Sequence, residues 1–252
     1  MGSSVGHCRG PSSNPRKEPL ELPDRMSDAA TALKICGLTN RSQACSIAAM
    51  GVQAIGVIGV EQTPRFVAEP TRRSIFAELE RLHPNVERVW VVANPSDHAV
   101  QSALQGNGTP TIVQLHGSET PERCLQLKQQ HPSVIWWKAL RLRTAEDLSE
   151  LSSFESHTDA LLLDAWSPNQ LGGTGHRLDP SWFTHLHQQL QPKTMWWLAG
   201  GICSEWVPEL LKLVAPYGLD ASSRLETRPG VKDLNKVRAL VQTVHDNERL
   251  RQ

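Results

Sequence analysis

The chain has 252 residues, with 26 Lys and Arg against 26 Asp and Glu. That is enough length for one full-size core, and the balance of charge gives no pull toward a polyanionic partner. There is no basic stripe for nucleic acid, no polybasic run for a membrane surface, and no apolar stretch near the roughly 20 residues that cross a bilayer. Five cysteines, at 8, 36, 45, 124 and 203, form neither a CxxC pair nor a zinc ladder, as expected of a reduced, cytoplasmic chain without a metal.

Residues 1–30 are dominated by Ser, Pro, Gly and charge and lack the apolar core of a signal peptide. They read as a disordered N-terminal extension, with Met26 open as the natural start. From residue 31 to 252 a single domain is expected, because a regular rhythm runs to the end without a linker. Short apolar, β-branched runs recur at Ala32 to Cys36, Ala54 to Val60, Arg88 to Ala93, Thr111 to His116, Val134 to Leu140, Ala160 to Asp164, Met195 to Ala199 and Tyr217 to Ala221. Between them lie segments of helical spacing: Ser42 to Met50, Pro70 to Leu82, Ser96 to Leu104, Thr120 to Gln130, Thr144 to Phe154, Pro180 to Leu190, Ser204 to Val214 and Lys232 to His245. Strands apolar on both faces and separated by helices imply a parallel sheet, and eight such units predict a closed (β/α)8 TIM barrel. An open doubly wound sheet would want a phosphate fingerprint in its first turn, and Gly37-Leu38-Thr39 is neither GxGxxG nor a Walker loop. The tryptophan doublets at 136/137 and 196/197 read as packing between strands and helices.

In such a barrel the site is built from the C-terminal tips of the strands. The first tip carries Cys36, and the loop after the second carries Arg65, suited to a carboxylate. The fourth ends in Gln114 and His116, which share a face by alternation. The sixth closes three leucines with Asp164, a costly placement for an acid without a partner or a task. Glycine-rich turns follow at Gly172-Gly173-Thr174-Gly175 and Gly200-Gly201, and Ser222-Ser223 ends the eighth strand. Backbone N–H groups in such turns can approach an anion closely, and the loops after strands seven and eight are the usual phosphate cradle of this fold.

These residues, in this order, resemble phosphoribosylanthranilate isomerase of tryptophan biosynthesis. The likeness runs through Lys34 to Thr39, Ala54 to Gly56, Pro64-Arg65, Gln114 to Gly117, Lys138-Ala139, Leu162 to Asp164, Gly172 to Gly175, Leu198 to Gly201, Asp220, Ser222-Ser223, Glu226-Thr227 and Pro229 to Asp233. It implies an Amadori rearrangement without a cofactor, acting on a small-molecule substrate, in a monomer or homodimer. It also implies Cys36 as general base, Asp164 as general acid, Arg65 on the anthranilate carboxylate, and Gly173, Gly175, Gly200, Gly201, Ser222 and Ser223 at the phosphate; His116, from its place at the fourth tip, is either a substrate contact or a buried histidine satisfied by a backbone carbonyl. A cysteine base works as thiolate, so its neighbours are expected to lower its pKa. Two departures stand out. Arg224 follows Ser222-Ser223 where the family usually has glycine at the second serine's place, and the stretch after Gly175 reads His176-Arg177-Leu178-Asp179, which makes Asp179 a reserve acid. A catalytically silent barrel that binds a sugar phosphate is the alternative that Arg224 keeps open.

Overall fold

In the computed structural model, which describes residues 30–165 and 177–249, eight parallel strands close into a barrel in sequence order. They are β1 (Ala32–Cys36), β2 (Ala54–Ile58), β3 (Glu87–Val92), β4 (Ile112–Leu115), β5 (Ile135–Leu142), β6 (Ala160–Ala165), β7 (Trp196–Ala199) and β8 (Gly218–Ala221). Closure is made by β1 pairing with β8, in a register that sets Lys34 beside Asp220. The expected N-terminal extension and the turn Gly172 to Gly175 lie outside the described residues.

Helices return the chain on the outside: α1 (Arg41–Ala48), α2 (Glu69–Leu82), α3 (Asp97–Ala103), α4 (Pro121–Gln130), α5 (Leu151–Glu155), α6 (Trp182–Gln189), α7 (Val207–Leu213) and α8 (Leu234–Arg249). Their starts follow from side chains that satisfy free N–H groups. Asn40, Ser96 and Thr120 cap α1, α3 and α4 by accepting from Gln43, Ala99 and Arg123, and α2, α4 and α7 carry a proline in the first turn.

Three expectations are corrected. The helix predicted over Thr144 to Phe154 is a 3-10 turn, Ala145–Glu150, running into the five-residue α5. Ser149 and Ser152 hydroxyls donate to carbonyls three residues back, an alternative to helical pairing that disfavours a long α-helix. Secondly, Lys232 does not open the last helix. It lies in β10 (Val231–Lys232), which pairs antiparallel with β9 (Glu226–Arg228) across a turn at Gly230, whose φ is +80°. Thirdly, only one tryptophan of each doublet packs under helices. Neighbouring strand residues face opposite sides, so Trp136 and Trp196 join the outer layer while Trp137 and Trp197 fill the barrel interior, ring centroids 4.7 Å apart. A Cβ at Gly218 would stand 2.5 Å from the Trp197 ring, so glycine there makes room for it.

Above that aromatic plug the interior turns polar. Lys34, fully buried, donates to Asp220 Oδ2 at 2.8 Å and to Gln114 Oε1 at 2.9 Å. Burial works to neutralise the ammonium, but Asp220 and the Cys36 sulfur outweigh it and raise the Lys34 pKa. Burial likewise pushes the Asp220 carboxyl up, with Lys34 opposing. Lys34→Met would strand a buried carboxylate, and we expect a loss of about 3–5 kcal/mol by urea unfolding. A loss below about 1 kcal/mol, the value of an exposed pair, would show that the two charges do not depend on each other.

Candidate active site

The tips of β1 to β4 and β6 to β8 line a cleft of about 870 Å³, its open mouth included. Cys36, Arg65, His116, Asp164, Gly200, Gly201, Ser222 and Ser223 all line it, and so does Arg224. Gly173 and Gly175 fall outside the described residues. Asp179 does not line the cleft: it is exposed in the turn before α6, where its Oδ1 accepts from Ser181 N and these hydrogen bonds lower its pKa.

Local sequence explains how each tip is set. Gly37 turns the chain immediately after Cys36 with φ +78°, and a Cβ there would stand 2.7 Å from Arg65 Cδ. Gly56, level with Cys36 on the neighbouring strand, clears the thiol, because a Cβ there would lie 2.7 Å from Cys36 Sγ. Gly117 is equally confined, its absent Cβ overlapping Asn94 at 2.8 Å. Glu119 fixes this fourth tip by accepting from Asn94 N and Gly117 N, while buried Lys138 holds Glu119 Oε2 and Gly117 O, both at 2.8 Å. At the seventh tip two successive residues have positive φ, Gly200 at 94° and Gly201 at 66°, a conformation that side chains with a Cβ resist.

The thiol's surroundings depart from expectation. Burial raises the Cys36 pKa, Lys34 works against this, Asp220 adds to it and Lys232 opposes it, with a net upward shift. Burial thus shifts the balance at Cys36 toward the thiol although two ammonium groups stand near it. Desolvation outweighs those cations, and sequence alone did not reveal it.

Arg65 is buried and held side-on by Glu226, Nε to Oε1 at 2.8 Å and Nη2 to Oε2 at 2.7 Å. These two bonds use the Nε and Nη2 edge of the guanidinium. Burial works against ionisation of Glu226, but Arg65 and Lys232 prevail and lower its pKa. Lys232, also buried, donates to Glu226 Oε1 at 2.8 Å and to Ser222 O at 3.1 Å, and Ser222 Oγ donates to the Cys36 carbonyl at 3.1 Å. Thus the β9/β10 hairpin ties Arg65, the eighth tip and Cys36 into one unit. Glu226 and Lys232 were missed as site residues. The Pro229-Gly230 turn was the available signal that residues 226–232 fold back rather than enter a helix.

Across the cleft, Asp164 is almost wholly buried, and its Oδ2 lies 3.6 Å from His116 Nε2. His116 Nδ1 is 3.1 Å from Gln114 Nε2. Neither His116 Nε2 nor Asp220 Oδ1 has a hydrogen-bond partner among the described residues, and both residues line the cleft. Chemically, the arrangement offers a thiol and a carboxyl on facing tips, a guanidinium already positioned, and a glycine and serine rim.

Comparison with known proteins agrees with this geometry. A family profile described as N-(5'phosphoribosyl)anthranilate (PRA) isomerase matches residues 33–243. The N-(5'-phosphoribosyl)anthranilate isomerase of Thermosynechococcus vestitus is 42% identical over 219 residues, covering 87% of this chain and 92% of its own. That of Nostoc punctiforme is 40% identical, with 86% and 99% covered. Among solved structures, phosphoribosyl anthranilate isomerase from Thermus thermophilus superposes with a TM-score of 0.72 at 30% identity, over 86% of this chain and 99% of that one. The Thermotoga maritima enzyme gives 0.75 at 25% identity over the same shares. With the profile spanning most of the chain and relatives at this level of identity, the chain belongs to the N-(5'-phosphoribosyl)anthranilate isomerase family.

Proposed function

We propose that this chain catalyses the Amadori rearrangement of N-(5-phosphoribosyl)anthranilate to 1-(2-carboxyphenylamino)-1-deoxyribulose 5-phosphate in tryptophan biosynthesis, with Cys36 as base and Asp164 as acid. The observation that carries this reading is the placement of Cys36 and Asp164 on tips of β1 and β6 that line one cleft with Arg65. In the proposed sequence Asp164 donates its proton to the furanose ring oxygen, the C1–O bond breaks, and the anilino nitrogen lone pair forms the C1=N Schiff base. Cys36 as thiolate then takes the proton from C2, and the C2–H electrons become the C1=C2 bond of the enolamine. Loss of the C2 hydroxyl proton and gain of a proton at C1 give the ketone. The thiolate forms within the pair, by transfer of the thiol proton to the Asp164 carboxylate, and Lys34 and Lys232 favour its charge.

Arg65 is assigned to the anthranilate carboxylate through the end not taken by Glu226. Arg65→Lys is therefore expected to raise KM about tenfold or more with a smaller change in kcat, because an ammonium cannot serve two carboxylates along two edges. An unchanged KM in steady-state assays would remove Arg65 from substrate binding. The phosphate is assigned to the rim of Gly200, Gly201, Ser222 and Ser223, with Gly173 and Gly175 proposed to complete it. No described helix is long and apolar enough to cross a membrane, and the enzyme is proposed to work in the cytoplasm as a monomer or homodimer on a free small molecule. The test is to add purified protein to freshly made phosphoribosylanthranilate and follow its anthranilate fluorescence. Protein-dependent decay supports turnover. Binding without decay would favour the silent sugar-phosphate barrel.

A further inference from the structure

The hydrogen bonds beneath the cleft determine where His116 carries its proton. Lys34 Nζ can only donate, so the Gln114 amide atom 2.9 Å from it must be the oxygen. That orientation turns the Gln114 NH2 group toward His116 Nδ1, 3.1 Å away. An NH2 group donates, so Nδ1 must accept and can carry no hydrogen. Flipping the amide would set NH2 against the ammonium of fully buried Lys34 and oxygen against the ring, losing the Lys34 bond. The remaining ring nitrogen, Nε2, therefore bears the proton. It is buried, has no partner among the described residues, and faces Asp164 Oδ2 at 3.6 Å.

We infer that Lys34, acting through Gln114, locks His116 as the neutral Nε2–H tautomer, so that the ring presents a donor to the acid Asp164. Lys34 and Gln114 are then positioning residues for the acid, and Lys34 stands beside the base as well. The charged and titratable groups around the ring are Lys34 and Cys36 from β1, Asp164 from β6 and Asp220 from β8, with Arg65 and Arg224 on the same cleft. At 3.6 Å the contact with Asp164 is longer than a hydrogen bond, and contacts of this kind tighten when substrate is bound. A donor on Oδ2 directs the acidic proton to Oδ1. It also strengthens as Asp164 gives that proton up, which stabilises the transition state more than the ground state.

The role given to Asp164 rests on the isomerase reading, but the tautomer does not. Nitrogen NMR of the 15N-histidine-labelled full chain, with His116 assigned by its loss in His116→Asn, reads the protonation of each ring nitrogen. We expect a bare Nδ1 and a protonated Nε2 in the unsubstituted protein. In Gln114→Glu the carboxylate accepts from both Lys34 and the ring, so Nδ1 should become protonated. The same variant should lose about tenfold in kcat, the equivalent of one pKa unit of acid stabilisation, with KM within about threefold. A protonated Nδ1 in the unsubstituted protein would overturn the inference, and this measurement stands even if Gln114→Glu does not fold. A Gln114→Glu protein that keeps a bare Nδ1 would also overturn it. Absence of turnover by the unsubstituted protein would instead end the isomerase reading and leave the tautomer result standing.

Discussion

Cys36→Ser is expected to lower kcat by at least about a hundredfold, the usual scale of general-base catalysis, while KM moves less than about twofold. A serine hydroxyl has nearly the shape of the thiol but is not ionised at neutral pH, so the substitution removes the base and leaves the cavity. The fold should tolerate it. Ser222 Oγ is bonded to the Cys36 backbone carbonyl, which the change does not touch, and the smaller hydroxyl fits the place that Gly56 clears for the sulfur. Unfolding in urea should therefore give the same midpoint as the parent protein. Near-normal turnover by the serine variant would remove Cys36 from the mechanism.

Asp164→Asn should cost a similar factor in kcat and, in addition, change the form of the pH profile. In the proposed mechanism the base works as thiolate while the acid carries a proton, so the profile of the unsubstituted enzyme depends on both groups together. With asparagine no acid proton is to be retained, and the residual rate follows the thiolate fraction alone. Burial holds the Cys36 pKa above its ordinary value despite Lys34 and Lys232. Below that pKa the thiolate fraction grows as pH rises, so residual kcat/KM should climb about tenfold per pH unit up to about pH 8.5, the ordinary thiol value. A flat profile in Asp164→Asn would show that thiolate formation does not limit the reaction. If Asp179→Asn were the crippling change instead, Asp164 would not be the acid, although Asp179 stands exposed outside the cleft.

The parts of the site that were legible in the sequence are those written locally. Cys36 and Asp164 each end an apolar run, His116 follows Gln114 at the strand period, and Gly200-Gly201 and Ser222-Ser223 mark tips seven and eight. Barrel closure followed from counting strands and helices. What the sequence did not disclose depends on residues far apart in the chain. Lys34 occupies the same strand face as Cys36, and a lysine between Ala32 and Cys36 on an interior face was a signal that could have been used. Its partner Asp220 lies 186 residues away and is matched to it only when the barrel closes. Arg65 and Glu226 are similarly joined across 161 residues, which is why a carboxylate already occupying one edge of the guanidinium could not be foreseen. The protonation of Cys36 was misjudged for the same reason, since the balance of burial against two ammonium groups exists only in the folded interior. The tryptophan doublets needed only strict alternation to be divided between the interior and the outer layer.

The network also suggests why the base and acid are linked rather than independent. Lys34 donates in one direction to Asp220 and in the other to Gln114, and it lies close enough to Cys36 to favour its thiolate. One buried cation thus biases the base directly and the acid through His116. Removing it would disturb both, and also stability, whereas substituting Gln114 separates the effect on the acid.

The most direct measurement of the central claim is continuous fluorescence of phosphoribosylanthranilate mixed with the purified protein, run beside Cys36→Ser and Asp164→Asn at equal concentration. The account predicts rapid decay with the parent protein and decay slower by at least about a hundredfold with either variant. Decay at the parent rate in both variants would contradict the assignment of base and acid, and no decay above the protein-free blank with the parent would contradict the activity itself.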